Sequence, residues 1–404
     1  MQKSRAKLIG AIGFLSMSGV AFAQSSVTLF GVVDDGVSYT NSQSSLTGSA
    51  ASGKHNVQLA QSVWIGNRFG LVGREEVGDG TAVIFKLLSR FNLNTGAGQY
   101  SGAMFAQQSW IGLTNQRYGK LTLGRQYTPY VQYLIPYSQI EWVTAFYGAH
   151  PGDIDSYDTD YKVSNTVEYE TPSFHGLKMA AAYSLGGVAG NMGRGSSWSA
   201  AIRYARGPFG IAAAIERFNN STVGGGKWGA DSTAANGPTQ QGLSALTIGY
   251  QTNAAQQRIA VTGKYALTTD FDVAANYSNV QYIPGINSAF KSTAIWNTIG
   301  AAVHWRVKTV WDLAVSYSYT RATQANGIYN AAHYNQIVLT EYYNLSKRTG
   351  LYAAQAYQRA SGLTLAADGK SIIGARATIG TGFNNNPSAG STQVALGVGI
   401  VHRF

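Results

Sequence analysis

The stretch WDLAVSYSYT, Trp311–Thr320, decides the fold because its residues alternate in character without a break. One parity carries only large apolar side chains: Trp311, Leu313, Val315, Tyr317 and Tyr319. The other parity carries small or polar ones: Asp312, Ala314, Ser316, Ser318 and Thr320. Successive side chains of a β-strand point to opposite faces. The stretch therefore predicts a strand with one apolar face and one small or polar face.

Three other stretches repeat this period: RIAVTGKYALT (258–268), FDVAANYS (271–278) and WSAAIRYAR (198–206). A soluble β-sandwich would alternate in the same way and stays an alternative at this point. Two features favour strands that cross a membrane. The second face holds Ala, Ser, Thr and Gly as often as charged residues, as the wall of a water-filled lumen would, and aromatic residues lie near the strand ends.

The composition points the same way. Charged residues make up 12% of the chain, against about 25% in an ordinary globular domain, and there are 48 Gly and 25 Tyr. Cysteine is absent, so disulfide bonds contribute nothing to stability. Outside the N-terminus, no segment is apolar enough for a membrane helix. A chain of this kind is typical of a transmembrane β-barrel.

The first 23 residues have the three parts of a secretory signal peptide. Lys3, Arg5 and Lys7 precede an apolar stretch over about 8–20, and Ala21-Phe22-Ala23 gives the small-x-small cleavage pattern. A buried N-terminal helix is the less favoured alternative. Removing the three basic residues of the signal from 30 leaves 27 against 19 acidic ones, so the mature chain, residues 24–404, carries a net charge of +8.

Turn signals divide the chain into a countable number of strands. Short segments rich in Gly, Pro and Asp occur seven times, at 75–81, 115–120, 171–176, 205–210, 268–271, 305–310 and 344–350. Seven turns join fourteen strands, and VTLFGVVDDGV near the N-terminus and QVALGVGIVHRF at the C-terminus bring the total to about sixteen. The alternating segment Leu243–Thr252 would break this even count, so we assign it to a β-rich part of the long loop after the ninth strand.

The long segment Tyr127–Lys162, the third of the predicted long loops, is unusually apolar for a solvated loop. Its apolar residues include Tyr130, Tyr133, Leu134, Ile135, Trp142, Phe146 and Tyr147. Such residues need a surface to pack on, which a loop folded into the lumen would find on the barrel wall. The loop also carries Glu141, Asp153, Asp155, Asp158 and Asp160. We predict that Glu141, Asp153, Asp155 and Asp158 form the acidic side of a pore constriction; an acidic external loop, or a calcium site, is the alternative.

The opposite side of the constriction is predicted to be basic. In RFGLVGRE and VIFKLLSRF, parity places Arg68, Arg74, Lys86 and Arg90 on the lumen side, and these four form the predicted basic wall. Arg68, Lys86 and Arg90 lie near mid-strand and are the strongest candidates. Later strands add the lumen-facing cations Lys178, Arg203, Arg258 and Lys264. Arg125, by contrast, has the outward parity of Leu121 and Leu123, which suggests either a subunit contact or a side chain that snorkels to the rim.

The chain resembles the trimeric general porins of Gram-negative outer membranes, in particular the betaproteobacterial branch. The matching stretches follow one another along nearly the whole mature chain: VTLFGVVDDGV, NRFGLVGREEVGDGTAVIF, SWIGLTNQRYGKLTLGRQY, NTVEYETPSFHGL, WDLAVSYSYTRAT, YYNLSKRTGLYAAQAYQRASG and GVGIVHRF. The resemblance implies an all-β, sixteen-stranded antiparallel transmembrane barrel, a homotrimer, and a third loop folded inward as the constriction.

Position by position, the resemblance makes Arg68 a basic residue of the constriction and places Arg125, in GRQY, toward the trimer contact. It also implies that the terminal Phe404 is read by the barrel-assembly machinery. One departure is Gln107, where family members often carry Arg, which argues against a strong anion preference. The terminal strand should pair with the first, because an open strand edge is not tolerated in lipid.

Other functions lack their sequence signals. There is no G-x-S-x-G motif, the six His are scattered without an H-E-x-x-H, and GGVAGNMGRG follows a predicted barrel strand rather than opening a helix. We therefore predict no enzyme, no cofactor, no metal and no nucleic-acid partner; an adhesin role of the outer loops could coexist with a channel. The predicted function is an outer-membrane channel for small hydrophilic solutes and ions with a mild anion preference, surrounded by membrane lipid and lipopolysaccharide.

Overall fold

A computed structural model of the 404-residue chain describes residues 25–44, 53–100, 102–144, 146–148, 150–157, 161–229, 231–236, 239–240, 243–380 and 387–404. The predicted signal peptide and Asp158 lie outside these residues. Within them the strands are β1 Ser26–Gln43, β2 Lys54–Leu59, β3 Arg68–Gly78, β4 Thr81–Arg90, β5 Gln108–Asn115, β6 Gly119–Tyr127, β7 Lys162–Glu170, β8 Leu177–Ser184, β9 Ser197–Arg206, β10 Phe209–Asn219, β11 Ala235–Asn236, β12 Thr239–Gln240, β13 Ala255–Ala266, β14 Phe271–Ile283, β15 Ala294–Val307, β16 Trp311–Ala322, β17 His333–Asn344, β18 Thr349–Ser361, β19 Leu363–Leu365, β20 Ile372–Gly374 and β21 Thr392–Arg403.

The long strands form one closed antiparallel barrel with sixteen positions. Each strand pairs with its neighbours in chain order, and β2 and β3 together occupy the second position, since both pair with β1. The small pairs β11–β12 and β19–β20 lie outside the barrel sheet. The predicted all-β barrel of about sixteen strands is confirmed.

The barrel closes where β1 meets β21. The pairing runs from Val32 opposite Arg403 to Thr40 opposite Ala395. Beyond it, Phe404 and Gly31 exchange two backbone hydrogen bonds of 3.0 Å. The aromatic ring of Phe404 lies over Gly31, where an added Cβ would be 2.3 Å from the ring. The last residue of the chain is thus held by the first strand, which leaves no open edge at this seam.

The two faces of each strand differ in exposure as the alternation predicts. In β16, Val315 and Tyr317 are exposed, whereas Ala314, Ser316 and Ser318 are buried. Exposed apolar side chains therefore mark the lipid-facing surface. Small and polar side chains face the interior, where they are covered by loops that enter the barrel.

The predicted turns and loops are found where expected. All seven short turns join adjacent strands, and long segments separate the other pairs. Residues 243–252 do not form a barrel strand; they contain the 3₁₀ turn Ile248–Tyr250 and no β-strand, so the loop assignment is right and the predicted β character is wrong. Tyr250 stacks on Tyr282 of β14 with ring centroids 5.7 Å apart, which explains the apolar alternation of this loop.

In the described ranges, helical structure is confined to short pieces. The third long loop contains α1, Pro129–Leu134, and 3₁₀ turns at Ile135–Tyr137, Gln139–Glu141 and Pro151–Asp153. Among the residues that the structure describes, no helix is long and apolar enough to cross a membrane.

Candidate channel constriction

The third long loop, residues 128–161, is called L3 below and lies inside the barrel. Its helix α1 begins at Pro129, with Thr128 as N-cap accepting from the Val131 amide. Tyr130, Tyr133 and Leu134 of α1 are buried against the inner wall. The wall there presents small side chains that allow the close approach: Ala180, Ala201, Ala212, Ala214 and Ala260.

Hydrogen bonds from inward-facing wall residues then hold L3 along its length. Thr262 of β13 donates to the Tyr137 carbonyl at 2.6 Å. Thr340 of β17 donates to the Trp142 carbonyl at 2.8 Å, and Gln336 of the same strand donates to the Gly148 carbonyl at 2.8 Å. The loop therefore follows the wall from β9 to β17 instead of extending into solvent, as its apolar composition predicts.

The acidic residues of L3 are bound to the same wall. Glu141 accepts from Lys264 of β13, with Nζ and Oε2 2.6 Å apart. Asp153 and Asp155 are buried, with 4% and 0% exposure. Asp155 accepts from Ser278 of β14 at 2.5 Å and lies 2.7 Å from His150 Nδ1. Asp153 and Asp155 thus do not present charge to open solvent, and their place on the acidic side of the constriction stays a prediction.

The His150–Asp155 contact is an ion pair inside L3. Burial by itself would raise the pKa of Asp155, but the charge of His150 and the hydrogen bonds from His150 and Ser278 hold that pKa below its usual value. Burial by itself would lower the pKa of His150, yet Asp155 outweighs it and the pKa is raised. The two shifts favour the charged form of both side chains, and in that form each neutralises the other.

The predicted basic wall lies on β3 and β4. In the register of these two strands, Arg68 lies opposite Arg90 and Lys86 lies opposite Val72. Directly paired residues of an antiparallel ladder share a face. The other face of β3 pairs with Leu29 of β1, which is 59% exposed to the lipid side. Arg68, Lys86 and Arg90 consequently point inward, and all three are half-buried.

Arg74 shares this face but lies close to the short turn. It forms an ion pair with Glu76, Nε to Oε1 2.7 Å, and both side chains are nearly half exposed. The structure thus separates Arg74 from the other three, which lie two to six residues further from the short turn between β3 and β4. Lys86 lies over the ring of Phe30, with Nζ 5.6 Å from the ring centroid.

The cations of the later strands do not extend the basic wall. Arg258 is fully buried, 3.7 Å from Glu216, under Tyr161 of L3. Lys178 pairs with Glu170 at 2.8 Å. Lys264 pairs with Glu141, as described above. Arg203 packs against the ring of Tyr133 with its guanidinium carbon 4.7 Å from the centroid.

One inward element was missed by the sequence interpretation. Between β2 and β3, residues Ala60–Asn67 leave the barrel ladder and enter the lumen; we call this segment the insert. Its Val63 and Gly66 are buried, and Trp64 packs on Tyr342 of β17 with ring centroids 4.8 Å apart. The only sequence signal was a gap in the alternation, because AQSVWIGN keeps neither parity.

Arg125 has the outward parity that was predicted, opposite Ser109 of β5. Its Nε donates to the Ala106 carbonyl at 2.5 Å and its Nη1 to Ser164 at 2.7 Å. These two bonds tie the guanidinium to residues of its own chain. Gln107, the departure from the resembled family, is buried and lies 3.4 Å from the Tyr127 hydroxyl. In the described ranges, no group of three or more His, Asp or Glu is arranged to hold a metal ion.

Comparison with known proteins identifies the family. The family model described as Gram-negative porin matches residues 10–363. The chain is a Gram-negative porin. Curated relatives of this porin include an outer membrane porin protein of Bordetella pertussis, 26% identical over 429 residues, and outer membrane porin protein 32 of Delftia acidovorans, 26% identical over 413 residues. Each match covers 98% of this porin and 99% of the relative.

Solved structures share the fold. An anion-selective porin from Comamonas acidovorans superposes with a TM-score of 0.68 at 23% identity, covering 94% of this porin and 100% of that chain. The trimer form of OmpT from Vibrio cholerae gives a TM-score of 0.62 at 15% identity, covering 94% and 99%. The family match and the curated relatives make this porin an outer-membrane diffusion channel.

Proposed function

We propose that the channel passes small hydrophilic solutes and ions with a mild preference for anions. The observation that carries this is an asymmetry of charge inside the barrel. Glu141, Asp153 and Asp155 of L3 are held by the wall or buried, whereas Arg68, Lys86 and Arg90 share one half-buried inward face. A face of cations raises the local concentration of anions. The relative from Comamonas acidovorans, which is named as anion-selective, supports the same sign.

The reversal potential in a KCl gradient across a planar bilayer tests this proposal. Exchanging Arg68, Lys86 and Arg90 for Gln should move the reversal potential toward cation selectivity, because the charge that attracts chloride is removed. Arg321→Gln is the control, since this substitution removes a positive charge from the outward face of β16. Arg321 lies there opposite His333. An unchanged reversal potential in the triple variant would contradict the proposed basic wall.

A homotrimer is the proposed assembly. The resemblance places Arg125 toward the trimer contact, and the relative from Vibrio cholerae is described in a trimer form. Because the guanidinium of Arg125 already donates to Ala106 and Ser164 of its own chain, we expect Arg125→Gln to weaken the trimer only slightly. Sedimentation in detergent measures this; a monomer as the main species of the unaltered protein would contradict the proposal.

Two further partners belong to the proposal. Lipopolysaccharide would meet Arg321 and Arg359, which lie on the outward face at the long-loop ends of β16 and β18. The barrel-assembly machinery would read Phe404 after export with a cleaved signal peptide. Deleting Phe404 should lower the yield of folded protein in the membrane and leave the conductance of the folded fraction unchanged. A normal yield would contradict the assembly role. We propose no catalytic activity.

A further inference from the structure

The insert, Ala60–Asn67, interrupts the second barrel strand at a defined place. β1 pairs with β2 from Val37 onward and with β3 up to Val32. Between these ladders the insert replaces strand pairing with two single bonds, from the Ala60 amide to the Gly36 carbonyl (2.8 Å) and from the Ser62 amide to the Asp34 carbonyl (3.0 Å). Ser62 has a φ of 63°, which turns the chain inward.

Asp34 of β1 fixes the shape of the insert. Its Oδ2 accepts from the amides of Trp64 and Ile65, both at 2.7 Å, and its Oδ1 accepts from the Tyr352 hydroxyl at 2.7 Å. The Asp34 amide donates to Asn67 Oδ1 at 2.5 Å. The carboxylate is fully buried, and one buried carboxylate with three donors holds a loop more firmly than scattered neutral bonds. The insert is therefore a built element and not a slack connection.

On one side the insert holds the middle of L3. The Val63 carbonyl accepts from the Phe146 amide at 3.1 Å and from the Thr144 hydroxyl. Val63 and Thr144 are both fully buried. The middle of L3 is thus anchored to the insert as well as to β17.

On the other side the insert touches the basic wall. The guanidinium of Arg90 lies directly against Gly66: a Cβ on that residue would be 2.6 Å from Cζ and 2.7 Å from both Nε and Nη2. Such contacts are impossible for real atoms, so any side chain at position 66 must displace the guanidinium. The φ of Gly66 is not in the left-handed region, so its glycine is needed for this close approach rather than for its backbone conformation.

We propose that the insert is a second element of the constriction, and that Gly66 is a positioning residue that sets where the Arg90 charge lies relative to L3. This inference rests on the proposed basic wall. One segment, fixed by Asp34, contacts both the middle of L3 and a cation of the wall, so it sets the separation between the two sides of the pore. The ion preference then depends on an uncharged residue.

The test is Gly66→Ala in the full-length folded protein, measured by single-channel conductance and reversal potential in a KCl gradient. The reversal potential should move in the same direction as in Arg90→Gln but by a smaller amount, although no charge has been removed. In the double variant, Gly66→Ala should add nothing to Arg90→Gln. Gly374→Ala is the matched control, because a Cβ at Gly374 meets no atom within 4 Å and its φ is ordinary.

The outcomes separate the two proposals. If Arg90→Gln shifts the potential and Gly66→Ala does not, or if the two effects are additive, the inference is overturned and the basic wall stands. If neither variant shifts it, Arg90 has no role in the wall and the inference falls with it. Thr144→Val tests the contact with L3 separately, should Gly66→Ala not fold. Losing that anchor should raise the open-channel current noise, and unchanged noise would overturn the link between the insert and L3.

Discussion

Two parts of the inner wall carry the same kinds of residue and use them differently. On β7–β13, Arg258 and Lys178 are covered by L3 or paired with Glu216 and Glu170. On β3 and β4, Arg68, Lys86 and Arg90 remain half-buried on an inward face that L3 leaves uncovered. Cations with the same parity thus help to attach a loop on one side and lie on a half-buried inward face on the other. What decides between the two roles is which stretch of wall the loop covers.

The largest effect should come from breaking the covered side. Arg258→Met leaves the carboxylate of Glu216 buried beneath L3 without its cation, which costs about 3–5 kcal/mol when one partner of a buried pair is removed. Arg90→Met on the other wall should change the stability far less. The midpoint of urea unfolding in lipid vesicles measures both variants. Equal changes in the urea midpoint of the two variants would show that burial beneath L3 does not distinguish the two parts of the wall.

Selectivity should respond in the opposite order. Lys86→Gln removes a charge from the uncovered wall and should shift the reversal potential toward cations. In the paired variant Lys264→Gln with Glu141→Gln, both partners of the 2.6 Å contact lose their charge together, so the potential should stay nearly unchanged. The same KCl gradient measures both. A shift in the paired variant as large as that of Lys86→Gln would contradict the neutral character of the covered wall.

The ion pair within L3 should make its attachment depend on pH. The pKa of Asp155 is lowered, so its contribution is present above the pKa of an unfolded Asp and is lost as the pH falls through the lower, folded value. The pKa of His150 is raised, so its contribution is present below the pKa of an unfolded His and is lost as the pH rises through the higher, folded value. Nearby Asp153 favours the charged His150, and Tyr157 stays neutral because burial raises its pKa well above the usual value.

L3 should therefore be held best between about pH 4 and pH 6.5, the unfolded values of Asp and His. Open-channel noise recorded against pH should be lowest in this window and rise on either side. Asp155→Asn with His150→Gln, which removes both charges, should flatten the profile. A profile of the unaltered protein that is already flat would show that the pair does not govern the attachment.

The smallest effect is expected at Arg74. Its pair with Glu76 is nearly half exposed on both sides, and exposed pairs contribute about 0–1 kcal/mol. Arg74→Gln should thus leave the urea midpoint almost unchanged, and its effect on the reversal potential should be smaller than that of Arg90→Gln. If Arg74→Gln shifted the reversal potential more than Arg90→Gln, the constriction would lie closer to the short turns than proposed.

Much of the architecture was predictable because strand alternation is local. Alternation within a few residues identifies the two faces of a strand, as in WDLAVSYSYT and the closing QVALGVGIVHRF. The seven short turns mark chain reversals in the same local way, and the barrel and its strand count follow. Parity also placed Arg68, Lys86 and Arg90 inward and Arg125 outward. The apolar residues of L3 indicated that this loop needs a surface to pack on.

The acidic residues of L3 show where such reasoning ends. Asp155 and Glu141 look alike in sequence, but one is sealed beneath β14 with His150 and the other reaches Lys264 at the edge of β13. Their partners on the barrel wall, Ser278 and Lys264, lie more than 100 residues away, and no local pattern encodes that meeting. The insert was not predicted because the roles of Asp34, Val63 and Gly66 depend on tertiary contacts. Asp34 binds the insert from β1, Val63 binds L3, and Gly66 packs on Arg90.

By itself the sequence determined the barrel, the direction in which each strand residue points, and the existence of an inward loop, because these depend on a period of two and on the burial of apolar surface. Only the tertiary structure decided which charges are buried against L3 and which stay half-buried on the inner wall. That outcome depends on where L3 lies along the wall and on how the insert turns inward beneath it. Both are set by contacts between distant strands, with distances of a few ångströms that no spacing along the chain specifies.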